Sequence, residues 1–142
     1  MTGFVDKVER VPRTFLVERK RKAAARGGYT GPNEEQIHRS VIAWLDRRAV
    51  KGVHFFHVPN GEFRHKGTAS RLKAMGVVPG EPDIVLIFGG HAYGLEIKAP
   101  GGKQSPEQKH IEQQWEQAGA TYGVAHGLDY ALDQLREWGL LE

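Results

Sequence analysis

Apolar residues recur along the chain with the periods of helices and strands. One stripe at helical spacing comprises Ile37, Val41, Trp44 and Leu45. Shorter apolar runs, bounded by glycine and proline, are typical of strands. In chain order these patterns predict a helix over residues 33–49, a strand over 53–58, a helix over 68–75, strands over 83–88 and 91–98, a helix over 106–118, a strand over 121–125 and a helix over 129–138. This order predicts an α/β fold with a mixed β-sheet flanked by helices.

The turn between the two middle strands predicts which residues face each other. Gly89 and Gly90 separate these strands, and two-residue hairpin turns favour glycine because they need positive φ. If these glycines form the loop, counting outward places Asp83 opposite Glu96, on one sheet face with Cβ atoms ~5 Å apart. Lys98 is two residues beyond Glu96 and projects from the same face. Three ionisable groups therefore meet at one end of the hairpin.

This cluster suggests a metal-dependent hydrolase. Two opposed carboxylates repel each other, and a divalent cation removes the conflict. Hard oxygen ligands with open positions suit Mg²⁺, which shares substrate phosphate oxygens, and a lysine can stabilise charge on the phosphate. An ordinary surface strand would also account for Glu-Ile-Lys taken alone, because short motifs have many false matches. The position of Asp83 opposite this motif favours a metal-dependent active site over an ordinary surface strand.

Charge divides the chain into a basic arm, residues 1–32, and a domain, residues 33–142. Residues 1–28 contain eight basic and three acidic residues, although the net charge of the whole chain is only +3. Such an arm suits phosphate-backbone contacts, and a solvated tail is an equal alternative. There is no cysteine, the longest apolar run spans five residues at 84–88, and the first residues lack the apolar stretch of a signal peptide. We therefore expect a cytoplasmic protein that does not enter membranes.

Several groups of residues, in order along the chain, resemble those of a VRR-NUC domain. They are Pro59-Asn60-Gly61; Ala69, Arg71, Leu72, Lys73, Met75, Gly76 and Val77; Pro79, Gly80, Pro82 and Asp83; Glu96-Ile97-Lys98; Gly101-Gly102-Lys103, Ser105, Glu107 and Gln108; and Gly119-Ala120. The resemblance covers residues 33–138. It implies a PD-(D/E)XK nuclease-like (restriction-endonuclease-like) core, Mg²⁺ or Mn²⁺ as cofactor without a small-molecule cofactor, and cleavage of branched DNA such as four-way (Holliday) junctions in recombination or repair. A homodimer is also implied.

The resemblance also assigns roles to individual residues. Asp83 and Glu96 match the metal-binding acids, with the carbonyl of Ile97 as a further ligand, and Lys98 matches the catalytic lysine. An acid of the first helix completes such sites, and Glu34 continues the inward stripe better than Glu35, although acids in a first turn also complement the helix dipole. Gln108 matches a glutamine near the metal, while Ser105 with Gln108 is also typical of a capping box. Both roles are compatible.

DNA contacts are predicted from polar and basic residues near the motif. The candidates are Asn60, Arg64, Lys66, Arg71, Lys73 and Lys103. Scattered surface charge is the alternative reading, and Asn60 and Arg64 are the preferred candidates. The histidines form no zinc-binding pattern, since His54 and His57 face opposite sides of a strand. Two rival functions remain open: a non-catalytic DNA-binding module of the same fold, and a small sequence-specific restriction endonuclease.

Overall fold

The computed structural model describes residues 29–59 and 66–142, with the side chains of residues 66 and 67 left out. Its elements follow the predicted order. They are α1 (Glu34–Arg48), β1 (His54–His57), α2 (Lys66–Ala74), β2 (Ile84–Phe88), β3 (His91–Lys98), α3 (Pro106–Gln117), β4 (Thr121–His126) and α4 (Leu128–Glu137). The predicted α/β class is confirmed. Among the described residues, no helix has the length and apolar character needed to cross a membrane.

The four strands form one mixed sheet in the order β1-β2-β3-β4. The first three are antiparallel, and β4 runs parallel to β3 after the crossover through α3. Gly89 and Gly90 turn the β2–β3 hairpin with φ values of 57° and 75°. The register places Phe88 opposite His91 and Ile84 opposite Leu95, as the two-glycine turn predicts. The hairpin and its register are confirmed.

Each face of the sheet has its own helical cover. The main core lies between one face and helices α1 and α4; it comprises Ile37, Val41, Leu45, Ile84, Leu86, Leu95, Ile97, Ala125, Ala131, Leu132, Leu135, Leu140 and Leu141. Helix α3 packs on the other face, where the ring of Trp115 meets the ring of Tyr122 at 6.2 Å between centroids. Glu96 and Lys98 project toward this second face, because they alternate with the core residues Leu95 and Ile97.

The apolar stripe of α1 is narrower than the sequence predicts. Ile37, Val41 and Leu45 are buried at intervals of four residues, whereas Trp44 is 39% exposed. The prediction that Trp44 belongs to the buried stripe is wrong, because burial at the edge of the stripe depends on how α1 packs against α4 and not on helical periodicity alone. There its ring lies 5.8 Å from the guanidinium carbon of Arg136.

Candidate active site

Asp83 and Glu96 come together at the open end of the β2–β3 hairpin. Asp83 immediately precedes β2, and continuing the observed register places it opposite Glu96 in β3. One oxygen of Asp83, Oδ2, accepts a hydrogen bond of 2.7 Å from the backbone N–H of Ile97. The backbone of the motif strand therefore sets the position of the Asp83 carboxylate. The side chain of Ile97 lies on the other face, 1% exposed in the core.

The two oxygens of Glu96 have different surroundings. Oε1 accepts a hydrogen bond of 2.8 Å from the amide Nε2 of Gln108 and lies 3.3 Å from the Nζ of Lys98. Oε2 is buried and has no hydrogen-bond partner. Buried polar atoms are nearly always paired, since leaving one without a partner costs about 1–3 kcal/mol. The structure therefore leaves one hard oxygen donor available beside Asp83.

Burial and charge together perturb the Glu96 carboxyl group. Glu96 is only 2% exposed, and Lys98 is 7% exposed. Burial, as the larger cause, and the neighbouring Asp83 carboxylate together raise the pKa of Glu96 to about 8, although Lys98 acts in the opposite direction. A strongly perturbed acid in a cleft is typical of functional sites.

Gln108 connects the start of α3 to the site with both ends of its amide. Its Oε1 accepts from the backbone N–H of Ser105 at 2.9 Å, and the Ser105 hydroxyl accepts from the backbone N–H of Gln108 at 3.2 Å. This reciprocal pair is the capping box predicted from the sequence. The amide Nε2 remains available and donates to Glu96. The capping box and the contact of Gln108 with Glu96 are therefore both present, and the role of Gln108 near a metal ion stays a prediction.

Helix α3 also holds the turn that carries Asp83. Seven residues after Gln108, the indole Nε1 of Trp115 donates to Oε2 of Glu81 at 2.9 Å. This bond joins residues 34 positions apart and was not predicted from the sequence. Pro82 is buried against β3 at Gly94, where an added Cβ would lie 2.7 Å from the proline Cγ. Gln108 and Trp115 are seven residues apart, and this spacing in the sequence was the signal that their contacts with Glu96 and Glu81 arise from one face of α3.

Glu34 lines the cleft, and its neighbour Glu35 does not. The cleft measures about 660 Å³, and its walls include Glu34, Ala69, Leu72, Lys73, Val77, Pro79, Gly80, Glu81, Asp83, Glu96, Lys98, Ser105, Glu107 and Gln108. Glu35 instead forms a surface ion pair with Arg39 at 2.7 Å. Over the part of the chain that the structure describes, no three acid, histidine or cysteine side chains form a ready metal cluster. Glu34 therefore lies in the cleft without joining Asp83 and Glu96 as a third ligand.

The predicted DNA-contact residues are divided among several places. Lys73 lines the cleft from α2, whereas Arg71 on the same helix is exposed and does not line it. Lys103 is exposed in the loop after β3, also away from the lining. Lys66 begins α2, but its side chain is not described, and Asn60 and Arg64 lie outside the described residues, as does most of the basic arm.

A histidine pair behind Asp83 was not foreseen from the sequence. His54 and His57 do face opposite sides of β1, as their register partners Ile87 and Ile84 require. The Nδ1–H of His57 donates to the backbone carbonyl of Asp83 at 2.8 Å, and its ring meets that of His38 edge-on at 4.4 Å between centroids. Burial lowers the pKa of His38, and the charge of His57 lowers it further. The pair supports the backbone at Asp83 from the core side.

Solved structures match this arrangement of helices and strands. One, described as a VRR_NUC domain protein, aligns with a TM-score of 0.63 and 24% identity over 78% of this chain and 90% of its own. A second, described as a VRR_NUC domain, aligns with a TM-score of 0.51 and 18% identity over 75% and 97% of the two chains. No family model matches the sequence, and no curated protein matches it.

The chain has the fold of a VRR-NUC domain. At these identities the likeness concerns the fold, and it confirms the mixed sheet and flanking helices predicted from the sequence. Within this VRR-NUC fold, the site is built from an antiparallel hairpin and from the helix of the parallel crossover. The hairpin supplies the two acids and Lys98, and α3 supplies the amide that orients Glu96.

Proposed function

We propose that this protein is a metal-dependent nuclease that hydrolyses phosphodiester bonds in DNA. One observation carries the proposal: Asp83, Glu96 and Lys98 converge at one end of the hairpin and line a common cleft. Two acids with an adjacent lysine provide ligands for a cation and a positive charge for a phosphate. The VRR-NUC fold supports this reading, since such domains belong to a nuclease superfamily.

The donor set fits a hard divalent cation, Mg²⁺ or Mn²⁺. Asp83 and Glu96 would hold it, with the carbonyl of Ile97 and, after a side-chain movement, Glu34 as further candidates. The free buried Oε2 of Glu96 and the repulsion between the two acids are both relieved by a positive ion. When bound, the metal supplies Lewis-acid activation of the phosphate and of water.

The residues of the chain then have separate tasks in hydrolysis. Lys98 holds its ammonium group beside Glu96, where it orients the attacking water and stabilises charge on the phosphate. Gln108 fixes the rotamer of Glu96. A water oxygen attacks phosphorus in line and loses a proton, the bond from phosphorus to O3′ breaks, and O3′ takes up a proton. The products are a 5′-phosphate and a 3′-hydroxyl.

We propose branched DNA, including four-way junctions, as the substrate, and a homodimer as the active form. Lys73 at the cleft, together with Arg71, Lys103 and the basic arm, would contact phosphates without reading sequence. Paired cuts across a junction need two active sites, which a two-fold symmetric dimer provides.

The test is a panel of end-labelled junction, flap, nicked duplex and single-strand substrates with Mg²⁺ or Mn²⁺. Asp83→Ala and Lys98→Ala should abolish cutting in a folded protein, and Glu34→Ala should weaken it relative to Glu35→Ala, its matched surface control. Tight DNA binding without cleavage in either metal would favour the non-catalytic module. Discrete fragments from plasmid DNA would favour the restriction endonuclease, whereas paired nicks across a junction support the proposal.

A further inference from the structure

Half of the sheet face that carries the site is left open by α3. In the register, Phe56 faces Val85 and His54 faces Ile87, so these four side chains share the face of Asp83 and Glu96. Helix α3 covers β3 and β4 on this side through Ile111 and Trp115. Over β1 and β2, by contrast, Phe56 is 42% exposed and Ile87 is 43% exposed. We call this surface the apolar shelf, and it comprises His54, Phe56, Val85 and Ile87.

The apolar shelf adjoins the site carboxylates directly. Phe56 faces Val85, two residues from Asp83 along β2, and is therefore the diagonal cross-strand neighbour of Asp83. Such neighbours lie ~7–8 Å apart. Successive bases in a strand are separated by ~3.4 Å, so this distance corresponds to about two base steps. A phosphate held at Asp83 and Glu96 thus brings the flanking nucleotides within reach of the shelf.

The chemistry of the apolar shelf fits the flat face of a base. The ring of His54 lies 5.7 Å from that of Phe56, tilted by 40°, and aromatic side chains beside a backbone-binding groove stack against nucleobases. In a continuous duplex every base face is covered by its neighbours, so a face is available only where stacking is interrupted.

The shelf is too small to serve alone as the interface with a second copy. At 42% exposure, Phe56 offers on the order of 80 Å² of the roughly 200 Å² of such a side chain, so four side chains of that exposed area offer about 320 Å². A stable interface needs ~800 Å² from each partner. One stacked base needs no more than the ring itself.

We propose that the apolar shelf stacks against a base that has lost a stacking neighbour and that flanks the cleaved phosphate. This inference rests on the proposed nuclease function and narrows its substrate class: the enzyme selects DNA whose base stacking is interrupted within about two nucleotides of the cut. Gapped, flapped and junction DNA meet this requirement, and continuous duplex does not.

The test compares Phe56→Leu with Phe56→Tyr and with Trp44→Leu. The first keeps an apolar side chain and removes the aromatic face, the second keeps that face, and the third removes an aromatic ring of similar exposure from the outer surface of α1. Binding to gapped and continuous duplex is measured by fluorescence anisotropy in the Lys98→Ala background with Mg²⁺. Photocrosslinking from 5-iododeoxyuridine, placed one and two nucleotides from the gap, reports which residue the base contacts.

Phe56→Leu should weaken binding to gapped DNA about tenfold, equivalent to about 1.4 kcal/mol, with no change for continuous duplex. Crosslinks should map to the peptide containing Phe56 and disappear in this variant, while the other two variants behave as the parent. Three outcomes would each overturn the inference. They are equal binding by Phe56→Leu and its parent, no DNA binding at all, and a monomer–dimer equilibrium that Phe56→Leu shifts without affecting DNA binding. Crosslinks to Phe56 without cleavage of any substrate by the wild-type protein would instead refute the nuclease proposal alone.

Discussion

Glu96 is the residue on which the candidate site depends. It is almost fully buried beside a second acid, and its Oε2 atom lacks a partner. Without a metal ion this arrangement opposes ionisation, and burial raises the pKa of Glu96 to about 8. Binding of the proposed cation would therefore compete with a proton for the same carboxylate.

Metal-free protein should lose stability as the pH rises through the folded pKa of Glu96. The folded state holds this proton up to about pH 8, whereas the ordinary pKa of a glutamic acid is 4.5. The stabilising contribution is thus complete below the unfolded pKa and is lost between the two values, on the order of a few kcal/mol in total. Glu96→Gln should flatten this dependence when melting temperatures are recorded in EDTA across pH 5–9. An identical pH dependence in both proteins would contradict the burial argument.

The two roles of Gln108 can be separated by substitution. Gln108→Glu retains an acceptor for the Ser105 backbone but replaces the donor to Glu96 with a third acid. We expect metal-dependent cleavage to fall at least tenfold. Ser105→Ala removes the cap, should cost about 1 kcal/mol in the free energy of unfolding, and should leave the cleavage rate of the folded protein nearly unchanged. Equal losses of cleavage activity in the two variants would indicate that Gln108 acts only as a capping residue.

At the level of elements, α3 acts as a frame for both acids. Its first turn reaches Glu96 through Gln108, and Trp115 reaches the turn before Asp83 through Glu81. Gly94 in β3 allows Pro82 and the ring of Trp115 to approach the strand. The separation of the two carboxylates thus depends on how closely the helix and the turn pack on β3.

Gly94→Ala should disturb the site without touching either acid. The new Cβ would lie 2.7 Å from Pro82 and 3.0 Å from Trp115, so the turn carrying Asp83 must move. We expect a loss of about 1–3 kcal/mol in stability and a clear loss of metal affinity, measured by calorimetry. Gly123→Ala is the control, because its Cβ would meet Trp138 at 2.8 Å on the other face. If both variants bind metal equally well, the packing of Pro82 does not set the site.

At the level of the whole molecule, charge is concentrated in residues 1–28, with eight basic and three acidic residues. The cleft itself is lined by five acids and only two lysines. Affinity for a polyanion must therefore come largely from outside the cleft. The arm is the densest source of positive charge in the sequence.

Replacing Arg19, Lys20, Arg21 and Lys22 with glutamine should weaken DNA binding and its dependence on salt. Each phosphate contact contributes ~0.9 to the slope of log affinity against log salt concentration, so the slope should fall by up to ~3.6. Titrations at several salt concentrations measure it. An unchanged slope would identify the arm as a solvated tail.

Most of the fold was predictable because its signals are local. The helix caps at Asn33 and Ser105, the breaker residues and the two-glycine turn each act within a few residues of the chain. Trp44 was misplaced because its exposure depends on how α1 packs against α4. The roles of Trp115 and of the His38–His57 pair were missed because their contacts lie 34 and 19–26 residues away in sequence.

By itself, the sequence determined the register of one hairpin, and therefore that Asp83, Glu96 and Lys98 share a sheet face, because a two-residue turn leaves a single pairing for the strands it joins. Only the tertiary structure decided the burial of Glu96, the second bond of Gln108, the entry of Glu34 into the cleft, and the exposure of Phe56. These depend on where α1 and α3 pack across the sheet, and such long-range packing is the sum of many weak contacts that no short stretch of sequence encodes.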